Sequence, residues 1–87
     1  MQKIGAIKMF EFAQSSEILG HKWKPDRSLI TFGLRDGSFK YYDPFENKIV
    51  DIGQHKEAIC DVFFLSQDIM GSASFDGDVR FWDIRQK

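Results

Sequence analysis

Cysteine, histidine, proline and net charge are all scarce in this 87-residue chain. With a single cysteine, Cys60, no disulfide can form within the chain. A disulfide-stapled secreted domain is therefore excluded, and an intracellular setting is expected. Two histidines, one cysteine, no glycine-rich phosphate loop and no paired metal-ligand spacing leave no metal site, no cofactor site and no catalytic machinery to assemble, so the chain reads as a non-enzyme without a small-molecule substrate. Twelve basic side chains against thirteen acidic ones give a formal charge of -1, which supplies no bulk attraction for nucleic acid or an anionic membrane. No apolar run reaches the eighteen or so residues of a membrane span, and the opening MQKIGAIKMF has neither the apolar core nor the cleavage site of a signal peptide. A cytoplasmic or nuclear location is the expectation. Two prolines and 43% hydrophobic residues are also at odds with disorder.

What the chain does contain is an internal repeat. Its two halves match at a spacing of forty to forty-one residues. Asp36-Gly37 falls on Asp76-Gly77, Phe39 on Val79, Lys40 on Arg80, and Tyr41-Tyr42-Asp43 on Phe81-Trp82-Asp83. Met9, Phe10 and Phe12 fall on Ile49, Val50 and Ile52. Residues 1–44 thus form one unit and residues 45–87 a second. Turn signals cut each unit into four strands: residues 4–12, 18–23, 28–33 and 38–42, then 48–52, 58–65, 68–74 and 78–84. The two Asp-Gly dipeptides read as two-residue hairpin turns. In residues 58–65, strict alternation places Ile59 and Phe63 on one face and Cys60, Val62 and Phe64 on the other, which makes both faces apolar. A strand of that kind suits a sheet packed between neighbouring sheets.

The run GSASFDGDVRFWD at 71–83, preceded by Gly53-Gln54-His55, resembles one repeat of the WD-repeat β-propeller family. The resemblance implies an all-β fold in which each repeat supplies about one four-stranded antiparallel blade. It also implies a buried hydrogen-bonded network of His55, Ser72 or Ser74, Asp76 and Trp82. Both serines point to the same face, and the sequence does not choose between them. In the degenerate first unit the matching positions hold Gln14, Phe32 or Leu34, Asp36 and Tyr42, so only Asp36 is retained from the network. Gly20-His21 imitates the family's Gly-His dipeptide but falls inside a strand. Gly-Gln-His together with Phe-Trp-Asp-x-Arg further resembles the subfamily of the nuclear-pore mRNA-export and mitotic-checkpoint propellers. That finer likeness implies mRNA transport, with RNA and a nucleoporin as partners.

His55, Asp76 and a serine could be mistaken for a catalytic triad, but the family resemblance buries this set inside a blade, whereas a nucleophile must face a cleft. The chain's aromatics, with Lys22, Lys24, Arg27, Arg35 and Lys40, could likewise pass for a base-stacking surface. Their strand spacing favours core and solvated charge instead. The expected function is a non-catalytic protein-interaction scaffold that presents loop rims to partner peptides or subunits. The candidate contacts are Arg35 and Phe75 just before each turn aspartate, and Lys56-Glu57 after His55. Two repeats cannot close a ring that needs at least four blades. Three explanations fit: a segment of a longer propeller, a unit that completes a partner's open propeller, or a subunit whose copies assemble into a ring.

Overall fold

The structure, a computed structural model, describes residues 16–85. The strand expected over residues 4–12, and Gln14, lie outside them. Seven strands are present: β1 (Ile18–Trp23), β2 (Ile30–Leu34), β3 (Ser38–Asp43), β4 (Lys48–Gln54), β5 (Ile59–Phe64), β6 (Ile69–Ser74) and β7 (Val79–Asp83). They form two antiparallel meanders, a four-stranded sheet β1-β2-β3-β4 and a three-stranded sheet β5-β6-β7. Among the described residues there is no helix, and the two sheets do not close into a barrel or ring.

The sheets are not divided where the repeat divides. β4 opens the second repeat unit yet pairs with β3, from Asp43 opposite Lys48 to Ser38 opposite Gln54. The cause is the tight connection between them. Asp43 Oδ1 accepts the amide protons of Phe45 and Glu46 at 2.9 and 3.1 Å, and Asn47 takes a left-handed φ of 51° that brings the chain back along β3. The crossing between sheets comes later, in residues 55–58. The second sheet therefore has three strands where four were expected.

The Asp-Gly turns are one residue longer than the two-residue hairpin expected from the sequence. Gly37 donates to the Leu34 carbonyl and Gly77 to the Ser74 carbonyl, both at 3.1 Å. Arg35-Asp36 and Phe75-Asp76 are thus the corner residues, and each glycine follows in the left-handed region at φ 91° and 92°. The aspartates set this geometry. Asp36 Oδ1 accepts from the amide of Ser38 at 2.9 Å, and Asp76 Oδ1 from that of Asp78 at 2.8 Å. That local bond holds the aspartate at the corner and leaves the positive φ to the residue without a Cβ.

β5 departs from the strict alternation expected of it. Its register shifts between Ile59 and Asp61, so a β-bulge at Cys60 breaks the alternation. Ile59 and Val62, expected on opposite faces, are both buried in the same cluster, while Cys60 is exposed. β1 carries the matching shift between Ile18 and Gly20.

Two apolar clusters hold the sheets. Ile30, Phe32, Leu34 and Tyr42 form one within the first sheet, joined by Ile18 and Ile49. Phe39, Ile59, Val62 and Met70 form the other between the sheets, flanked by Tyr41, Ile52, Phe64, Trp82 and Ile84. The sheets approach closely where Gly33 meets the Ile59 side chain, a contact that any Cβ at Gly33 would obstruct.

Candidate functional site: a loop rim and the network beneath it

Because the strands alternate in direction, successive connections fall at opposite ends of the sheets. The β2–β3 turn, the β4–β5 loop and the β6–β7 turn share one end. Backbone bonds lace them together there: His55 N–H donates to Gly37 O at 2.8 Å, and Phe75 N–H to Ala58 O at 3.0 Å.

Beneath this rim lies a polar quartet. The Trp82 indole Nε1–H donates to Ser72 Oγ at 2.9 Å, Ser72 Oγ lies 2.7 Å from His55 Nε2, and His55 Nδ1 lies 3.1 Å from Asp76 Oδ2. A carboxylate can only accept, so the proton on this side belongs to Nδ1. Ser72 already accepts from the indole, so its own proton is directed to Nε2. Every donor in the chain then has an acceptor, and no buried side-chain polar atom among the described residues lacks a partner. Ser72 is fully buried and His55 is 1% exposed. The edge of the Trp82 ring packs directly on Gly53, where any side chain would collide with it, and the ring lies tilted at 6.3 Å from that of Phe39.

Asp76 is the hinge between quartet and rim. Desolvation pushes its pKa up, but the amide protons of Asp78 and Lys56 and the His55 imidazole outweigh that and hold it at about 2. Asp83 is also held at about 2, by the Arg85 guanidinium that grips it at 2.7 Å.

The two serines take different places. Ser72 links indole to imidazole, whereas Ser74 Oγ sits 2.9 and 3.0 Å from the carbonyl oxygens of Glu57 and Ala58 and accepts the Asp76 amide proton at 3.1 Å. Asp36 is not brought to the quartet. It caps the first sheet's turn, where burial raises its pKa and the bonds from Ser38 more than reverse that. His21 is exposed in β1, opposite Phe32.

Of the partner-contact candidates, Phe75 is 72% exposed at its turn corner. Lys56 and Glu57 are exposed beside it, with their backbones committed to Asp76 and Ser74. Arg35 occupies the equivalent corner of the first sheet and pairs with Glu17 at 3.1 Å. Gln54 ties the first of these corners to the β4–β5 loop. Gln54 Nε2 donates to the carbonyls of both Asp36 and His55, at 2.8 and 3.0 Å. Arg80 adds a second tie by donating to the Gln54 carbonyl at 2.7 Å. Its match to Lys40 in the repeat was the available signal, since Lys40 bridges to β4 through Asp51 at 3.1 Å. Among the described residues no group of three or more His, Cys, Asp or Glu could hold a metal ion, and no helix is long and apolar enough to cross a membrane.

No protein-family model matches the chain. The E3 ubiquitin-protein ligase COP1 of Pisum sativum is 37% identical over 59 residues, which is 66% of this chain and 9% of the ligase. The chain therefore spans less than a tenth of that relative. Among solved structures, the computationally designed Ika4 protein superimposes with a TM-score of 0.68 at 24% identity, covering 77% of this chain and 41% of the designed one. At that identity the likeness is one of fold alone. Neither similarity bears on the nuclear-pore subfamily or on mRNA export. The designed protein thus shares this chain's fold, and the ligase shares a sequence likeness over part of it.

Proposed function

We propose that the chain is a two-blade segment of a WD-repeat propeller, acting as a non-catalytic interaction scaffold through the rim formed by Arg35, Lys56, Glu57 and Phe75. The observation that carries this reading is the division of labour between the rim and the quartet beneath it. The quartet spends its polar groups on one another: Ser72 is fully buried, and its oxygen is occupied by an indole proton. A nucleophile in that position would have no path to a substrate. The rim, by contrast, presents a large aromatic at 72% exposure on a turn pinned by Asp76, with charged neighbours of both signs. An aromatic anchor on a rigid support is what a peptide-binding surface needs. Partners in this reading are protein segments in the cytoplasm or nucleus.

Selection of displayed peptides against the folded chain tests the proposal. Enriched peptides are expected to lose most of their binding to Phe75→Ala and part of it to Lys56→Glu, while both variants keep the wild-type melting curve. Binding indifferent to these changes, or labelling of Ser72 by a serine-directed fluorophosphonate, would contradict it.

A further inference from the structure

The end of the sheets opposite the rim carries the β1–β2, β3–β4 and β5–β6 connections. Each presents one large apolar side chain: Trp23 is 40% exposed, Phe45 83% and Leu65 63%. None of the three belongs to the rim or to the quartet.

Charge at this end is uneven. Lys24 pairs with Asp26 at 3.6 Å, Lys48 with Glu46 at 3.6 Å, and Arg85 with Asp83 at 2.7 Å and Asp68 at 4.0 Å. Asp43 is engaged by the amides of Phe45 and Glu46. Two cations remain. Lys22 and Arg27 have no ion-pair partner among the described residues, and both stand exposed on the β1–β2 hairpin that carries Trp23. Alternation sets Lys22 and Trp23 on opposite sides of β1, so a segment draped across the hairpin reaches both. Arg27 occupies a strained corner of it, at φ 65°. The other residue with a side chain in that region, among the described residues, is Asn47, a type suited to it, and a glycine at position 27 would close the turn with less strain. The corner is nonetheless fixed: Arg27 N–H donates to Lys24 O at 2.7 Å, Lys24 N–H to Leu29 O at 2.9 Å, and Ser28 N–H to Asp26 Oδ1 at 2.9 Å. A guanidinium presented from a rigid corner is preorganised for a carboxylate.

We infer that this end is a second docking surface, and that its occupant is an acidic peptide segment of a partner protein. Its carboxylates meet Lys22 and Arg27, and its apolar side chains cover Trp23, with Phe45 and Leu65 on the neighbouring connections extending the apolar contact. Charge complementarity selects the acidic segment, because the surplus at this end is cationic. A nucleic acid is disfavoured by the layout. A phosphate backbone needs cations spaced along its path, whereas here the unpaired ones are confined to a single hairpin and the adjoining connections carry Glu46 and Asp68.

Fluorescence anisotropy of a fluorescein-labelled peptide, in which a Phe-Leu pair lies between runs of glutamate, tests the inference on the 87-residue chain. Saturable binding is expected, weakened about fivefold or more by Lys22→Glu and by Trp23→Ala and unchanged by Phe75→Ala at the opposite rim. Arg27→Gly separates recognition from folding. It removes the guanidinium and relieves the backbone, so binding is expected to fall about threefold while the melting temperature stays within about 3 °C of wild type. No saturable binding by a chain with an intact β-sheet circular dichroism spectrum would overturn the inference and leave the rim reading standing. Binding indifferent to all three hairpin changes would overturn it, as would binding lost in Phe75→Ala, which would assign the peptide to the rim. A labelled oligouridylate that bound the hairpin more tightly than the peptide would overturn it in favour of RNA.

Discussion

The two Asp-Gly hairpins have nearly the same backbone and are fastened by different chemistry. Gly37 and Gly77 have φ values of 91° and 92°, and each aspartate caps the amide two residues on at 2.9 or 2.8 Å. Below the second turn, Ser72 and Trp82 join His55 and Asp76 in the polar quartet. Below the first, the positions of Ser72 and Trp82 are taken by Phe32, which is fully buried in an apolar cluster, and by Tyr42, which donates to Asn47 at 2.8 Å toward the other end of the sheet. The turn is therefore independent of what supports it. A hairpin of this type needs its aspartate and its glycine, and either a polar chain or a block of hydrocarbon can hold it in place.

The largest effects should separate the two kinds of support. Phe32→Ala removes a fully buried ring and is expected to cost about 4 kcal/mol, and Trp82→Ala about 3 kcal/mol because that ring is only partly covered. Ser72→Ala removes little volume but leaves both an indole donor and an imidazole nitrogen without a partner, for about 2 kcal/mol. Chemical denaturation checks all three. If Ser72→Ala cost under about 0.5 kcal/mol, the quartet would not be a support at all.

The glycines should respond unequally despite their shared φ. Alanine at Gly77 meets open space and bears only the left-handed strain, about 1 kcal/mol, whereas at Gly37 it also collides with the His55 carbonyl oxygen and crowds that of Glu57. Gly37→Ala is thus expected to be the worse by at least about 1 kcal/mol in the same assay, and equal losses would break the contrast.

Acid should act on the second turn more gradually. Asp76 has a pKa of about 2 in the folded chain against 3.8 ordinarily. A depressed carboxylate contributes its stability in full above the unfolded pKa and loses it as pH falls through the folded one. Melting temperature is expected to decline between about pH 4 and pH 2, and to decline less in Asp76→Asn, which has no carboxylate there to titrate.

Much of this arrangement could be read from residue order. The forty-residue repeat located both turns, and β1 runs over Ile18–Trp23 as its flanking signals suggested. The network came from the family resemblance instead, with the serine left open; in the structure His55 reaches Asp76 and Ser72, and Ser72 reaches Trp82. Four features could not be read. The grouping of β4 with β3 depends on backbone pairing, and an apolar pattern specifies a face of a strand but not the neighbour at its edge. The bulge at Cys60 adds one residue and reverses the faces that follow, which alternation alone cannot register. The extra residue in each turn follows from aspartate capping, which competes with the two-residue hairpin that Asp-Gly also permits. Gln54 was noted only within Gly-Gln-His, because its structural role lies in two carbonyl oxygens on separate connections, and no spacing in the sequence marks those.

The most direct test of the account is the exchange rate of the two indole protons by NMR, since the chain has its own reference. Trp23 is 40% exposed at the far end of β1, while the Trp82 indole proton is committed to the buried Ser72 oxygen. The Trp82 proton is expected to exchange at least about a hundredfold more slowly than that of Trp23, and Ser72→Ala to remove most of the difference. Equal exchange of the two indoles in the wild-type chain would contradict the claim that the quartet fastens the second sheet.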